Sequence, residues 1–188
     1  MKRIYLCFLW LLVCLVLPLQ GQAISQSELL DTARFQHIDS SVDSGRGDGK
    51  YLNLESIRTI VDSNGHRRIE ATLYVLMPAS NLIQGIQIEY DYQLNQSLRH
   101  LINAHEKALK QGTHTPYISI WRAKDENSGI TGMVKAAGAF TNDGSVRASL
   151  QQANIEAMLL PATFGLERYT LPNLIYQKAY GLAYDDEP

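Results

Sequence analysis

The stretch His105-Glu106-Lys107-Ala108-Leu109 is where this chain comes nearest to a catalytic pattern. It begins like the zinc-protease helix motif H-E-x-x-H, whose two imidazoles stand one turn apart and meet one metal. Leu109 occupies the place of the second histidine. His100 cannot replace it, because five residues of helix rotate it roughly 140° away from His105. His105 falls inside an apolar stripe and reads as a packed histidine, while His37, His66 and His114 are scattered. The carboxylates Glu70, Glu89, Asp91, Glu156 and Glu167 offer acids and bases, but a solvated surface accounts for them. Nucleophilic catalysis has neither a G-x-S-x-G elbow nor S-x-x-K to work with.

Binding motifs are equally sparse. Gly129-x-x-Gly132 and Gly138 lack the Gly-Lys-Ser/Thr or G-x-G-x-x-G context of a phosphate loop, and small residues in a strand favour close packing. Asp39, Asp43 and Asp48 share one glycine-rich loop, yet their spacing fits neither an EF-hand nor a Ca²⁺-binding nonapeptide. No cofactor and no metal are therefore expected. Arg46-Gly47-Asp48 is the tripeptide that integrins read, set in a polar loop. An acidic–basic pair beside glycines is also what ordinary loops contain.

The N-terminus says where the chain goes. Lys2 and Arg3 precede an apolar run from Ile4 to Leu17; Pro18 breaks it, and Gly21-Gln22-Ala23 supplies small residues for signal peptidase. The run is short for a bilayer span and no stop-transfer pattern follows. Cleavage after Ala23 is expected, giving a signal peptide at 1–23 and a single exported domain at 24–188. Leu11-Leu12-Val13-Cys14 resembles a lipoprotein site only loosely, since Val13 stands where a small residue belongs. Cys7 and Cys14 both fall in the segment removed, so the mature chain is expected to have no disulfide and no thiol nucleophile.

Cleavage leaves 165 of 188 residues, enough for one core, with hydrophobic and charged shares of 45% and 19% in the full chain. Lys2 and Arg3 are lost from 17 basic residues against 19 acidic ones, so the mature net charge is near −4. That balance carries no basic footprint for nucleic acid. Contact with a membrane is expected only during export.

Periodicity supplies the frame. Ser25 to His37 predicts a short helix with Ser27 as N-cap. Residues 39–49 are a polar loop, and strands follow at 51–61 and 66–77 about an Asp62–Gly65 turn. In the second strand Ile69, Ala71, Leu73 and Val75 alternate with polar neighbours. A third strand spans 83–92. Residues 94–110 predict a helix whose stripe is Leu94, Leu98, Leu101, Ile102, His105 and Leu109, ended by Gly112. Strands are expected at 117–123 and 130–141, and Asn142–Ser145 is expected to cap a second helix running to about Leu160. The segment holding Phe164, Tyr169, Leu171, Ile175 and Tyr180 is left open between strand and irregular structure. Together these give an α+β domain with a mainly antiparallel sheet and two or three helices.

Phe35-Gln36-His37-Ile38, then Tyr51-Leu52-Asn53-Leu54-Glu55-Ser56-Ile57, a turn and the Arg68–Met77 strand resemble the opening of the surface-adhesin E-like family of small exported bacterial proteins. Those proteins carry an aromatic-x-Asp-x-x-Ser-Ile segment before a β-hairpin. Ile88-Glu89-Tyr90-Asp91 and Arg99 match its later Tyr/Glu-Asp-Cys and arginine positions, with Tyr92 in place of the cysteine and Asn53 in place of the aspartate. The likeness covers about residues 35–100. It implies a non-catalytic envelope or surface module, in some members one that binds host matrix proteins.

The sequence therefore points to an exported protein, periplasmic or at the cell surface, that binds a protein or other envelope or host macromolecule without catalysis. The expected contact surface is Arg46 and Asp48 in the loop, Tyr117 and Trp121, and Tyr169 and Tyr180 near the C-terminus. Trp121 suits a core position as well. The rivals are an envelope hydrolase using carboxylates with His105 or His114, and an accessory subunit of a secretion or envelope complex that docks by a strand edge or tail.

Overall fold

In the computed structural model, the described residues are 23–38, 49–63, 65–113, 115–152, 159–161 and 167–188. The expected loop with Arg46 and Asp48 lies outside them, as do Cys7 and Cys14. Strands β1 (Phe35–Ile38), β2 (Gly49–Ser63), β3 (His66–Met77), β4 (Leu82–Gln93), β5 (Ile130–Phe140) and β6 (Val146–Gln152) form one antiparallel sheet in chain order. A short β7 (Leu159–Pro161) pairs with the far end of β5. Helices α1 (Gln26–Leu29), α2 (Leu98–Lys110), α3 (Ile118–Glu126) and α4 (Glu167–Tyr180) complete an α+β fold.

Partners across an antiparallel pair share a face of the sheet. On one face Leu52, Ile69, Ala71, Tyr90, Tyr92 and Ile130 pack against Tyr169, Ile175 and Tyr176 of α4 and against Tyr184. On the other, Tyr74, Leu76, Ile83 and Phe140 meet Ile24, Leu29 and Phe35 from the N-terminal segment. The alternation expected for β3 holds for Ile69, Ala71 and Leu73, which are buried, but Tyr74 and Leu76 are buried too. Val75, expected with them, is only half-buried: the cover passes from one face at Ile69 and Ala71 to the other at Tyr74 and Leu76, which a single period-2 pattern cannot signal.

Four elements differ from the sequence expectation. The first helix is a single turn with a capping box in which Ser25, not Ser27, is the N-cap and Glu28 reaches back to it. Residues 35–38, expected as its end, pair with β2. Residues 118–126 are helix rather than strand. Ile120 and Lys124, one turn apart, face inward, whereas Ile118 and Trp121 face out. Asn142–Ser145 closes a hairpin instead of capping a helix: the Thr141 amide donates to the Ser145 carbonyl (2.8 Å) and Gly144 takes a positive φ of 92°. The chain then pairs with the open edge of β5, which a helix there would leave without partners. Finally, the undecided C-terminal stretch is the helix α4, with Pro172 inside it. Pro172 hid the helix from a propensity argument.

The Asn53–Ile57 motif of the family resemblance has a structural use. The Asn53 side chain accepts the Glu55 amide (3.0 Å), and Ser56 Oγ donates to the Asn53 carbonyl while accepting the Thr72 amide (2.7 and 2.8 Å). These bonds hold a bulge between Asn53 and Arg58 in the β2–β3 ladder.

Candidate interaction surfaces

Residues 94–129 form a helical insertion between β4 and β5, closed at its base where the Gln93 amide donates to the Gly129 carbonyl (2.8 Å). Ser97 caps α2 by accepting the His100 amide (3.1 Å). Of the apolar stripe expected on this helix only His105 is buried, its ring edge-on to Tyr117 at 5.5 Å, and Leu109 is exposed. The packed-histidine expectation thus stands. Among the described residues seven large apolar side chains are exposed, and four of them sit on this insertion: Leu109, Tyr117, Ile118 and Trp121. Tyr117, Ile118 and Trp121 are spaced to share one side of α3, and Leu109 stands one helical turn along α2 from His105, whose ring meets Tyr117. A concentration of this kind exceeds the scattered exposure normal for a surface.

The insertion is held by a clasp that the sequence did not suggest. Lys124 is fully buried, and its ammonium donates to the carbonyls of Gln96 (2.7 Å) and Ser128 (2.8 Å) and pairs with Asp185 (2.8 Å). All three of its N–H groups are used. Its charge also stands 4.5 Å over the Tyr184 ring. Burial lowers the Lys124 ammonium from its ordinary range, and the Asp185 carboxylate opposes that shift. Asp185 further accepts Tyr169 Oη (2.6 Å) and the Leu98 amide at the start of α2 (3.0 Å). Tyr184 Oη donates to the Gln93 carbonyl (2.6 Å) and Tyr92 Oη to the Pro172 carbonyl (2.7 Å). Glu187 accepts Tyr176 Oη (2.6 Å) and pairs with Arg67, whose guanidinium lies 4.0 Å over the Tyr180 ring. Gly129 makes room for all this: a Cβ there would stand 2.1 Å from Tyr184 Oη.

The polar half of the second sheet face carries a charge ladder. Arg58 pairs with Glu70 (3.1 Å), Arg68 and Lys135 each stand 3.5 Å from Glu89, and His66 meets Asp91 at 2.5 Å. Glu70 and Glu89 are direct cross-strand partners, an arrangement of like charges that needs these cations. Every carboxylate here has a cationic or imidazole neighbour. His105 is on the insertion rather than among these carboxylates, and His114 lies outside the described residues.

Of the residues expected to make contacts, Tyr117 and Trp121 are exposed at 53% and 38%. Trp121 is thus not in the core. Tyr169 is buried in the clasp, not on the surface, and Tyr180 is half-buried against Arg67. Ala23 is exposed next to the buried Ile24. The acidic tail is folded in through Asp185 and Glu187. Of its interactions only the positions were legible beforehand, because pairing over such sequence separations leaves no local pattern.

Two shallow cavities accompany these surfaces: one of ≈ 300 Å³ lined by Leu54, Ile57, Thr59, Lys178 and Ala179, the other of ≈ 340 Å³ beside Ala23, Glu28, Arg34 and Tyr74. Among the described residues no cluster of His, Cys, Asp and Glu fit to hold a metal occurs, and no helix is long and apolar enough to cross a membrane. No family model, curated protein or solved structure matches the chain.

Proposed function

We propose that this chain is an exported, non-catalytic protein of the bacterial envelope or cell surface that binds another macromolecule through the helical insertion between β4 and β5. The observation that carries this reading is the gathering of Leu109, Tyr117, Ile118 and Trp121 on the exposed side of α2 and α3. Aromatic side chains there expose large apolar area at low conformational cost, the property that makes them anchors of interfaces. Lys124 and Asp185 hold the insertion to the sheet, so the surface is presented on a fixed support. Export is supported by Lys2, Arg3, the Ile4–Leu17 run and the small residues ending at Ala23. Burial of Ile24 fits a mature chain that begins there. The resemblance of residues 35–100 to surface-adhesin E-like proteins favours the same class.

The test is in-cell crosslinking of a chain tagged through a flexible linker after Pro188, with mass spectrometry of what co-purifies. The expected result is a mature N-terminus at Ile24 and a reproducible envelope or host partner, lost when Tyr117, Ile118 and Trp121 are together changed to serine. Retention of the uncleaved chain in the cytoplasm, or a partner indifferent to those changes, contradicts the reading.

A further inference from the structure

The edge of β2 is only partly used. β1 pairs with Lys50 to Asn53, and the Leu54 amide donates to the Arg34 carbonyl (2.8 Å) before the chain turns away into α1. From Arg58 to Ser63 the strand is paired with β3 on one side and, among the described residues, with no strand on the other. Arg58, Thr59, Ile60, Asp62 and Ser63 are all exposed. At the foot of this edge lies the ≈ 300 Å³ groove, where Leu54 and Ile57 offer an apolar floor and α4 forms the wall. Lys178 lines that wall, exposed and with no ion pair or hydrogen bond among the described residues.

These features complement an extended chain. Unpaired N–H and C=O groups along an edge template one more strand, and neighbouring pockets then select its side chains. Alternate residues of a strand point to the same face, so a side chain entering the groove and one meeting Lys178 belong two residues apart. A second copy of this protein fits poorly. Pairing of two such edges about a two-fold axis would bring both α4 helices to the same face and set Arg58 and Ile60 of one copy beside Ser63 and Val61 of the other, with no carboxylate of the edge brought to Lys178.

We propose that the Arg58–Ser63 edge of β2 accepts an extended segment of a partner protein as an added antiparallel strand, with an apolar side chain in the Leu54–Ile57 groove and a carboxylate two residues along facing Lys178. This rests on the reading of the chain as an interaction protein, but places a second contact on a different surface from the helical insertion.

The probe is a short fluorescent peptide alternating valine with threonine and carrying one aspartate two residues after a valine. Binding to the full mature chain is followed by anisotropy and by amide hydrogen exchange. Saturable binding is expected, with slowed exchange confined to residues 58–63. A copy of the peptide N-methylated at alternate residues loses binding, because the side chains remain but the ladder cannot form. Lys178→Glu weakens binding about fivefold, and a lysine in place of the peptide's aspartate restores it. Lys178 is exposed, so this variant folds as the parent does. Unchanged exchange at 58–63, equal binding of the N-methylated peptide, or dimerisation through this edge overturns the proposal. A partner captured in cells with 58–63 unprotected strikes the edge alone. Edge binding to the peptide without any captured partner strikes the wider reading of function.

Discussion

The two faces of the sheet are made from alternate residues of the same strands, yet they are closed in different ways. On the face under α4, tyrosines fill the space and the charges that enter it, Lys124, Asp185, Arg67 and Glu187, are fixed by hydrogen bonds to carbonyls and phenols. On the polar half of the other face, charges of both signs alternate across β2 to β5; Asp91 and Arg68, exposed at 34% and 38%, have water in reach, while the buried Glu89 is shared between Arg68 and Lys135. The first arrangement is committed: removing Lys124 takes the cation from the Asp185 carboxylate and a donor from two carbonyls in a closed interior. The second tolerates loss at its exposed members, because solvent replaces what is removed there. Binding surfaces are better sought where large apolar side chains or a strand edge stay exposed, as Tyr117, Ile118 and Trp121 do on the insertion and Thr59 and Ile60 do on the β2 edge.

The sharpest way to break this contrast is Lys124→Met. It removes the only cation paired with the Asp185 carboxylate among the described residues, leaving it Tyr169 Oη and the Leu98 amide, and takes a donor from two carbonyls; we expect a loss of about 3–5 kcal/mol in urea unfolding. A loss below about 1 kcal/mol would mean that the clasp is as replaceable as the ladder.

Alkaline titration comes next. Burial pushes the Tyr90 hydroxyl up to about 12, and burial likewise raises Tyr92, Tyr169, Tyr176 and Tyr184. In the unfolded chain tyrosines release their protons near pH ~10. Above that the unfolded state binds fewer protons than the folded one, so the stability present below pH ~10 is lost as pH rises through the folded values. Lys124 acts in the opposite sense just below its ordinary range, since the folded state gives up that proton first. With several tyrosines against one lysine, cooperative alkaline unfolding is expected, followed by tyrosinate absorbance and circular dichroism. Tyr90→Phe flattens the pH slope. Tyrosines ionising near pH ~10 without loss of structure would show the cluster to be open to water.

Tyr92→Phe removes one buried hydroxyl and its bond to the Pro172 carbonyl, for an expected loss of about 1 kcal/mol by thermal unfolding. At the small end, Arg58→Ala on the ladder removes a guanidinium exposed at 60% and leaves Glu70 its bond from Gln87, so it is expected to cost about 0–1 kcal/mol. Equal effects from these two variants would erase the distinction between the faces.

The sequence exposed the sheet better than it exposed the clasp. The β2–β3 hairpin and β4 were legible because Asn64-Gly65 and clean alternation act over neighbouring residues. Helix α3 was misread because Ile118 and Ile120 alternate as a strand does, while the decisive inward residue, Lys124, is charged and belongs inside only in the company of Asp185. Helix α4 was hidden by Pro172, and residues 146–152 by a turn whose Asn-Asp-Gly-Ser also suits a helix cap. Tyr117 and Trp121 were picked out by residue type. Their gathering with Ile118 and Leu109 required the fold of the insertion.

The most direct measurement places a photo-crosslinking residue at Ile118 in one chain and at exposed Thr131, on the ladder face, in another, with both irradiated in living cells. The account predicts a discrete adduct from Ile118 and none from Thr131. An adduct from Thr131 with none from Ile118 would contradict it, moving the binding surface to the face assigned here to solvent.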